Sequence, residues 1–368
     1  MKQIMNITPE IAKFHEDVRK DNFEPLWVAG GQVMLPEPKS KPIPYIWKWE
    51  TVKKHLERAA EIIDFENGGD RRVLMLINPG MRDLEPFGWG ATTQTMSACV
   101  QILLPGEKAP AHRHTQNAMR FISTGSGTYS LVEYQKVYMS EGDYVITPKG
   151  LWHEHEHEGT EPMIWMDCLD TPLVYYLHAT FFERYPGEWQ PVKVKPAVDK
   201  YRGATMVRPL SDHTPDIAAL PVYQWKPTVD ALKGLSDHYD PDPVEGYVVE
   251  YFNPSTGKSA VPNIGAWMQK LPPKFHGKAH RHVNSVVIHV KEGRGYTVID
   301  GVRFDWSKGD FLVIPSWCWH EHVNLSETED AYLFQTNDIP LYETLDLQRV
   351  ELYEENGGHQ KVLSHFSA

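Results

Sequence analysis

The chain has 368 residues, of which 41% are hydrophobic and 23% charged, and carries a formal net charge of −12. That length allows a large core and suggests two domains, while the acidic balance excludes a broad basic footprint for nucleic acid or anionic membrane. Three scattered cysteines (Cys99, Cys168, Cys318), no signal-peptide-like start and no long apolar run point to a soluble cytoplasmic protein with reduced thiols.

In chain order, Thr8-Pro9-Glu10 reads as a helix start, with a capping hydroxyl, a proline at the first helical position and an early acid. Ile11, Phe14 and Val18 continue it at helical spacing. Residues 36–49 alternate prolines with aromatics and are expected to form an extended arm lying on another surface. A second helix is predicted from about Glu50 to Asp64, with Val52, Leu56, Ala59, Ala60 and Ile63 on one face. From Arg72 onward short β segments broken by Gly and Pro take over, among them 72–77, 127–132 and 143–147. Residues 181–245, rich in Pro and Asp, read as a connector with one short helix over Val229–Leu235. β segments then resume at 247–252, 285–290 and 311–314. The expected architecture is mainly β: an N-terminal helical arm (1–70), a first β domain (71–180), the connector (181–245), a second β domain (246–340) and a tail (341–368).

The two β domains are copies. His112-x-His114 is followed by Gly125, Gly142-Asp143, Pro148 and His153-Glu154-His155; His280-x-His282 is followed by Gly293, Gly309-Asp310, Pro315 and His320-Glu321-His322. Ten residues separate the second His from the next Gly in both copies, five separate Gly from Pro, and four separate Pro from His. So many equal spacings mark an internal duplication.

A strand alternates its side chains, so His112 and His114 share a face and suit two neighbouring ligand positions on one metal. His153, from a second segment, closes a set of three imidazoles. Such a set suits Fe, Zn, Cu or Ni, and leaves open positions on the ion. The same reading makes His280, His282 and His320 a possible second site. Arg120, six residues after His114, faces the ligand side if the strand continues; Ile288 holds that place in the second copy. Two residues beyond His153, His155 shares its face and could exchange a proton with a bound substrate.

The frame of both copies resembles the two motifs of the cupin superfamily, which implies a bicupin of two double-stranded β-helix (jelly-roll) barrels. Ala118 and Val286 stand where many cupins carry a glutamate, which disfavours oxalate decarboxylase-like and germin-like readings. More narrowly, the stretches 69–80, 110–121 (Pro-Ala-His-Arg-His-Thr-Gln-Asn-Ala-Met-Arg-Phe) and 165–170 resemble the gentisate 1,2-dioxygenase family, which includes salicylate and 1-hydroxy-2-naphthoate 1,2-dioxygenases. The resemblance implies an Fe(II)-dependent, usually homotetrameric enzyme of aromatic catabolism. It would cleave a 2-hydroxybenzoate with O2 between the carboxyl- and hydroxyl-bearing carbons, gentisate to maleylpyruvate being the first expectation. It also implies Arg120 as the grip on the substrate carboxylate, Arg71 as a second anion-binding group with Arg72 its neighbour, Gln101 as a pocket residue and Asp167 as a supporting acid. Catalysis is expected in the N-terminal cupin. The alternatives are salicylate or 1-hydroxy-2-naphthoate as substrate, a non-catalytic bicupin binding protein, or a metal-dependent sugar isomerase.

Overall fold

A computed structural model describes residues 7–64, 71–82, 90–192 and 220–367. Residues 69–70 of the first quoted stretch and 193–219 of the connector lie outside the described residues. The chain divides into a unit of residues 1–39 and a unit of residues 40–368. In the small unit, the helix Pro9–Lys20 starts at Thr8, whose hydroxyl accepts from the Ile11 amide at 3.3 Å, and the helix Leu26–Val33 follows. Trp27 donates from Nε1 to His15 at 3.0 Å and stacks on Phe14.

The large unit holds two barrels, each made of two mainly antiparallel sheets. In the first barrel one sheet runs in the order Val222–Tyr223, Tyr144–Thr147, Ala118–Thr124, Met163–Leu169, Ser97–Leu103, Arg72–Met75. Its other sheet runs Phe182–Arg184, Lys108–His114, His153–His157, Ser126–Val132, Gln135–Ser140. The second barrel repeats this plan. One sheet is Tyr45–Trp47, Phe311–Ile314, Val286–Glu292, Ala331–Asn337, Gly265–Leu271, Tyr247–Glu250. The other is Val350–Leu352, His280–His282, His320–Asn324, Arg294–Ile299, Val302–Ser307, Ser364–His365, the last strand pairing parallel to its neighbour. Pairs from the proposed connector, the arm and the tail thus complete both barrels.

The barrels exchange strands. Tyr45–Trp47, which precedes the first barrel in sequence, pairs with Phe311–Ile314 of the second. Val222–Tyr223, which precedes the second, pairs with Tyr144–Thr147 of the first. Each exchanged strand leads into a helix, Trp49–Ile62 or Trp225–His238. Neither helix has a side-chain cap of its own; the Gly-Asp turn of the other barrel supplies one. Asp310 accepts from the Trp49 amide at 2.8 Å and Asp143 from the Trp225 amide at 3.0 Å, placing a carboxylate at each positive helix end. The preceding glycines take positive φ, and a Cβ on Gly142 would come within 2.7 Å of Trp225.

The second helix is longer than Val229–Leu235. Pro227 lies in its first turn, where a missing N–H costs no intrahelical bond, so the helix begins at Trp225. In the helix after the arm, Val52 and Leu56 are buried whereas Ile63 lies just past its end and is exposed.

Candidate active site

In the first barrel, the strands Lys108–His114 and His153–His157 lie side by side, with His112 directly opposite His153. A register shift between Ala109 and His112 adjusts the end of the strand that carries the histidine pair. The rings of His112, His114 and His153 lie 4.2–5.4 Å apart, centroid to centroid, and one nitrogen of each falls within 4.8 Å of the others. Each Nδ1 sits beside a backbone carbonyl: Pro110 for His112 (3.1 Å), Gln116 for His114 (2.9 Å) and Leu151 for His153 (3.0 Å). A proton held on Nδ1 by those carbonyls leaves Nε2 as the donor in His114 and His153, while Arg71 competes for Nδ1 of His112. Burial also keeps the rings neutral. His112 is pushed down to about 2 by burial and then by Arg71, and His114 and His153 are lowered by burial first. Three neutral, oriented imidazoles fit a divalent transition metal.

The neighbouring side chains form one connected network. Arg120 is 4% exposed and lies opposite Asp167 in the sheet, with Nε donating to Asp167 Oδ1 at 2.9 Å. Trp165 Nε1 donates to the other Asp167 oxygen at 2.9 Å. Arg120 Nη1 donates to Ser130 Oγ at 2.7 Å. Because Ser130 accepts there, its own proton is available to His155 Nδ1, 2.9 Å away. His155 then carries its proton on Nε2, a fully buried atom with no protein partner. Burial, then Arg120, holds His155 well below the usual imidazole range, so it is a neutral N–H donor. Gln101 is buried and its Nε2 likewise lacks a partner.

Arg71 lies across the mouth of the triad, with Nη2 2.7 Å from His112 Nδ1 and 3.2 Å from the Pro110 carbonyl. A guanidinium only donates, so the contact with His112 uses the Nδ1 lone pair and excludes a proton there. Its neighbour Arg72 faces elsewhere and pairs with Glu107 at 2.6 Å.

The second barrel repeats the triad and changes what surrounds it. The His280, His282 and His320 rings lie 4.2–5.3 Å apart. Ile288 stands opposite Gln335, where the first barrel has Arg120 opposite Asp167. Gln335 donates to Gln269, and Gln269 donates to the Glu245 carboxylate. Glu245 reaches His280 Nε2 at 3.2 Å, while His280 Nδ1 has no partner. Arg72 and Tyr247 hold matching places at the sheet edge, opposite Ile102 and Lys270. Arg71 and Glu245 therefore enter the two barrels at neighbouring positions with opposite charge.

Ser130 and Glu245 were not anticipated from the sequence. Thr297 holds the place of Ser130 in the second copy and contacts His322 at 2.8 Å, so a hydroxyl paired with the later histidine recurs in both. The match appears in the cross-strand register and not in the spacing of the repeat. Glu245 lies outside any repeated motif, and only the fold brings it to His280.

Two duplicated β barrels, each with a buried converging histidine triad, define a bicupin of the metal-binding type. The chain matches the family model of the cupin domain over residues 99–169 and 267–335. It is 34% identical to a 5-aminosalicylate 1,2-dioxygenase of Comamonas sp, over 98% of this chain and 95% of that one. It is 34% identical to gentisate 1,2 dioxygenase 1 of Aquipseudomonas alcaligenes, over 90% and 93%. Its fold superimposes on a salicylate 1,2-dioxygenase from Pseudaminobacter salicylatoxidans with a TM-score of 0.85 and 32% identity, covering 94% of this chain and 99% of that one. The chain belongs to the gentisate 1,2-dioxygenase family of ring-cleaving dioxygenases and is an oxidoreductase.

Proposed function

We propose that the first barrel cleaves the ring of a 2-hydroxybenzoate, gentisate before salicylate or 1-hydroxy-2-naphthoate, with Fe(II) held by His112, His114 and His153. The observation that carries this reading is the buried Arg120–Asp167 pair beside one triad and its replacement by Ile288 and Gln335 beside the other. When bound, the metal supplies a chelation point for the substrate's carboxylate and hydroxyl, and electron transfer to dioxygen.

The protein's own groups do the rest. Asp167 occupies the Nε edge of Arg120 and Ser130 takes Nη1, which leaves Nη2 for a substrate carboxylate oxygen. The pair is formally neutral, so Arg71 supplies the net positive charge that an anion needs in an acidic protein. A metal held through Nε2 would put the His112 proton on Nδ1, facing Pro110, and would end the bond that Arg71 makes to that nitrogen. His155 Nε2–H and the Gln101 amide are unsatisfied donors inside the barrel, and they serve as hydrogen-bond donors to bound substrate oxygens. Among the described residues no helix is long and apolar enough to cross a membrane. A cytoplasmic location and a homotetramer are part of the same proposal, by likeness to the family.

The test is oxygen uptake by anaerobically Fe(II)-loaded protein offered gentisate, salicylate and 1-hydroxy-2-naphthoate in turn. Stoichiometric uptake with at least one, and greatest with gentisate, supports the reading. No uptake with any of the three would end it.

A further inference from the structure

We propose that His276, Glu321 and His359 form a separate site for a divalent transition-metal cation, best matched by Zn²⁺, which fastens the C-terminal tail to the outside of the second barrel. Glu321 lies between His320 and His322 on the strand His320–Asn324, so alternation turns it away from the inner triad. Its carboxylate is 2% exposed. One oxygen accepts from the Gln360 amide at 2.9 Å. The other lies 3.0 Å from His276 Nε2 and 4.0 Å from His359 Nδ1. His359 Nδ1 is buried, points toward this carboxylate and has no hydrogen-bond partner. The two imidazole rings lie with centroids 4.0 Å apart and are tilted 40° to each other.

All three donor atoms fall within 4.8 Å of one another. Ligands bonded at about 2.0–2.2 Å to one tetrahedral ion sit roughly 3.4 Å apart, so closing the set needs movements below about 1 Å. Two imidazoles and a carboxylate are a donor set that suits Zn²⁺, with water completing the fourth position. His276, whose side chain is 42% exposed, gives the ion a path from solvent.

The duplication supplies a control within the molecule. In the first barrel the matching glutamate is Glu154, which accepts from the Gln190 amide at 2.8 Å, as Glu321 does from Gln360. Gln190 donates to the Leu131 carbonyl and Gln360 to the Val298 carbonyl, which are again matching positions. The scaffold is therefore the same in both copies. At the two positions beside the glutamate, however, the first copy has Lys108 and Trp189 where the second has His276 and His359. Packing the tail does not require histidines there, and among the described residues the second copy alone brings two imidazoles to this buried carboxylate.

The test compares the full-length wild type with His276→Gln and His359→Gln, all freed of metal by chelation and then titrated with Zn²⁺. Bound metal is counted by elemental analysis, and amide exchange is followed over residues 350–365. The wild type is expected to bind one equivalent more than either variant. Removing a ligand should weaken that equivalent by at least about 100-fold. Zn²⁺ should slow exchange over the tail in the wild type alone. Equal Zn²⁺ equivalents in all three proteins, with the same tail exchange, would show a hydrogen-bonded clasp without metal and overturn the proposal. His276 is the more exposed of the two histidines, so its variant decides the matter if His359→Gln fails to fold.

Discussion

At the scale of single residues, a buried charged pair is one of the differences between the two barrels. Arg120 and Asp167 are both almost fully buried, so removing either leaves an uncompensated charge in a low-dielectric interior. Arg120→Ala should therefore lower stability by about 3 kcal/mol. It should also lower kcat/KM by roughly 10–100-fold through the lost charge-assisted bond to the substrate carboxylate. Urea denaturation and steady-state oxygen uptake read the two effects separately; unchanged kcat/KM would remove Arg120 from substrate binding. Buried histidines make a second prediction. Burial holds His289 at about 3 and His322 at about 4, against an ordinary 6.5. Below pH 6.5 the unfolded chain takes up protons that the folded chain refuses. Stability is thus fully present above 6.5 and falls as pH drops toward the folded values, by about 1.4 kcal/mol per pH unit for each such group. The urea midpoint of metal-free protein should decline steeply from pH 6.5 to 5, and His289→Leu should make the decline shallower. A midpoint that is flat over this window would contradict the assignment.

At the scale of elements, the Gly-Asp turn of each barrel caps the helix that leads into the other. Asp310→Ala and Asp143→Ala should each cost about 1–2 kcal/mol, the usual range for a lost helix cap. Thermal denaturation would show this, and variants as stable as the parent would mean that the carboxylates do not cap. This exchange also shows where the sequence was legible. Spacings fixed by tight turns survive duplication, so Gly125, Gly142, Pro148 and the histidines aligned with Gly293, Gly309, Pro315 and their counterparts. The strand–helix units Tyr45–Ile62 and Val222–His238 are also copies, but their strands are only three and two residues long. Their common feature is one tryptophan each, Trp49 and Trp225, held against a distant glycine. A contact between residues more than 80 positions apart leaves no local periodicity to read. The histidine triads were legible for the opposite reason, since strand alternation alone puts His112 and His114 on one face. The partners of Arg120 were half legible: Asp167 lay in a motif, whereas Ser130 needed the cross-strand register.

At the scale of the whole molecule, the two barrels share one core. The outer faces of Ala118–Thr124 and Ala331–Asn337 meet where Phe121 stacks on Phe334, with centroids 4.1 Å apart. Tyr144, Tyr251 and Phe311 belong to the same buried cluster. Phe334→Ala should therefore cost about 3–5 kcal/mol and destabilise both barrels together. Separate loss of the second barrel in calorimetry would contradict a shared core. Within this joined body the inner sites have diverged: a guanidinium pair and Arg71 beside one triad, an aliphatic side chain and Glu245 beside the other. The ring-cleaving chemistry is proposed for the first. The most direct measurement is oxygen uptake with gentisate by Fe(II)-loaded His114→Ala and His282→Ala, each with its metal content determined. The expected result is loss of activity in His114→Ala and retention in His282→Ala; loss confined to His282→Ala would place the chemistry in the second barrel and contradict the account.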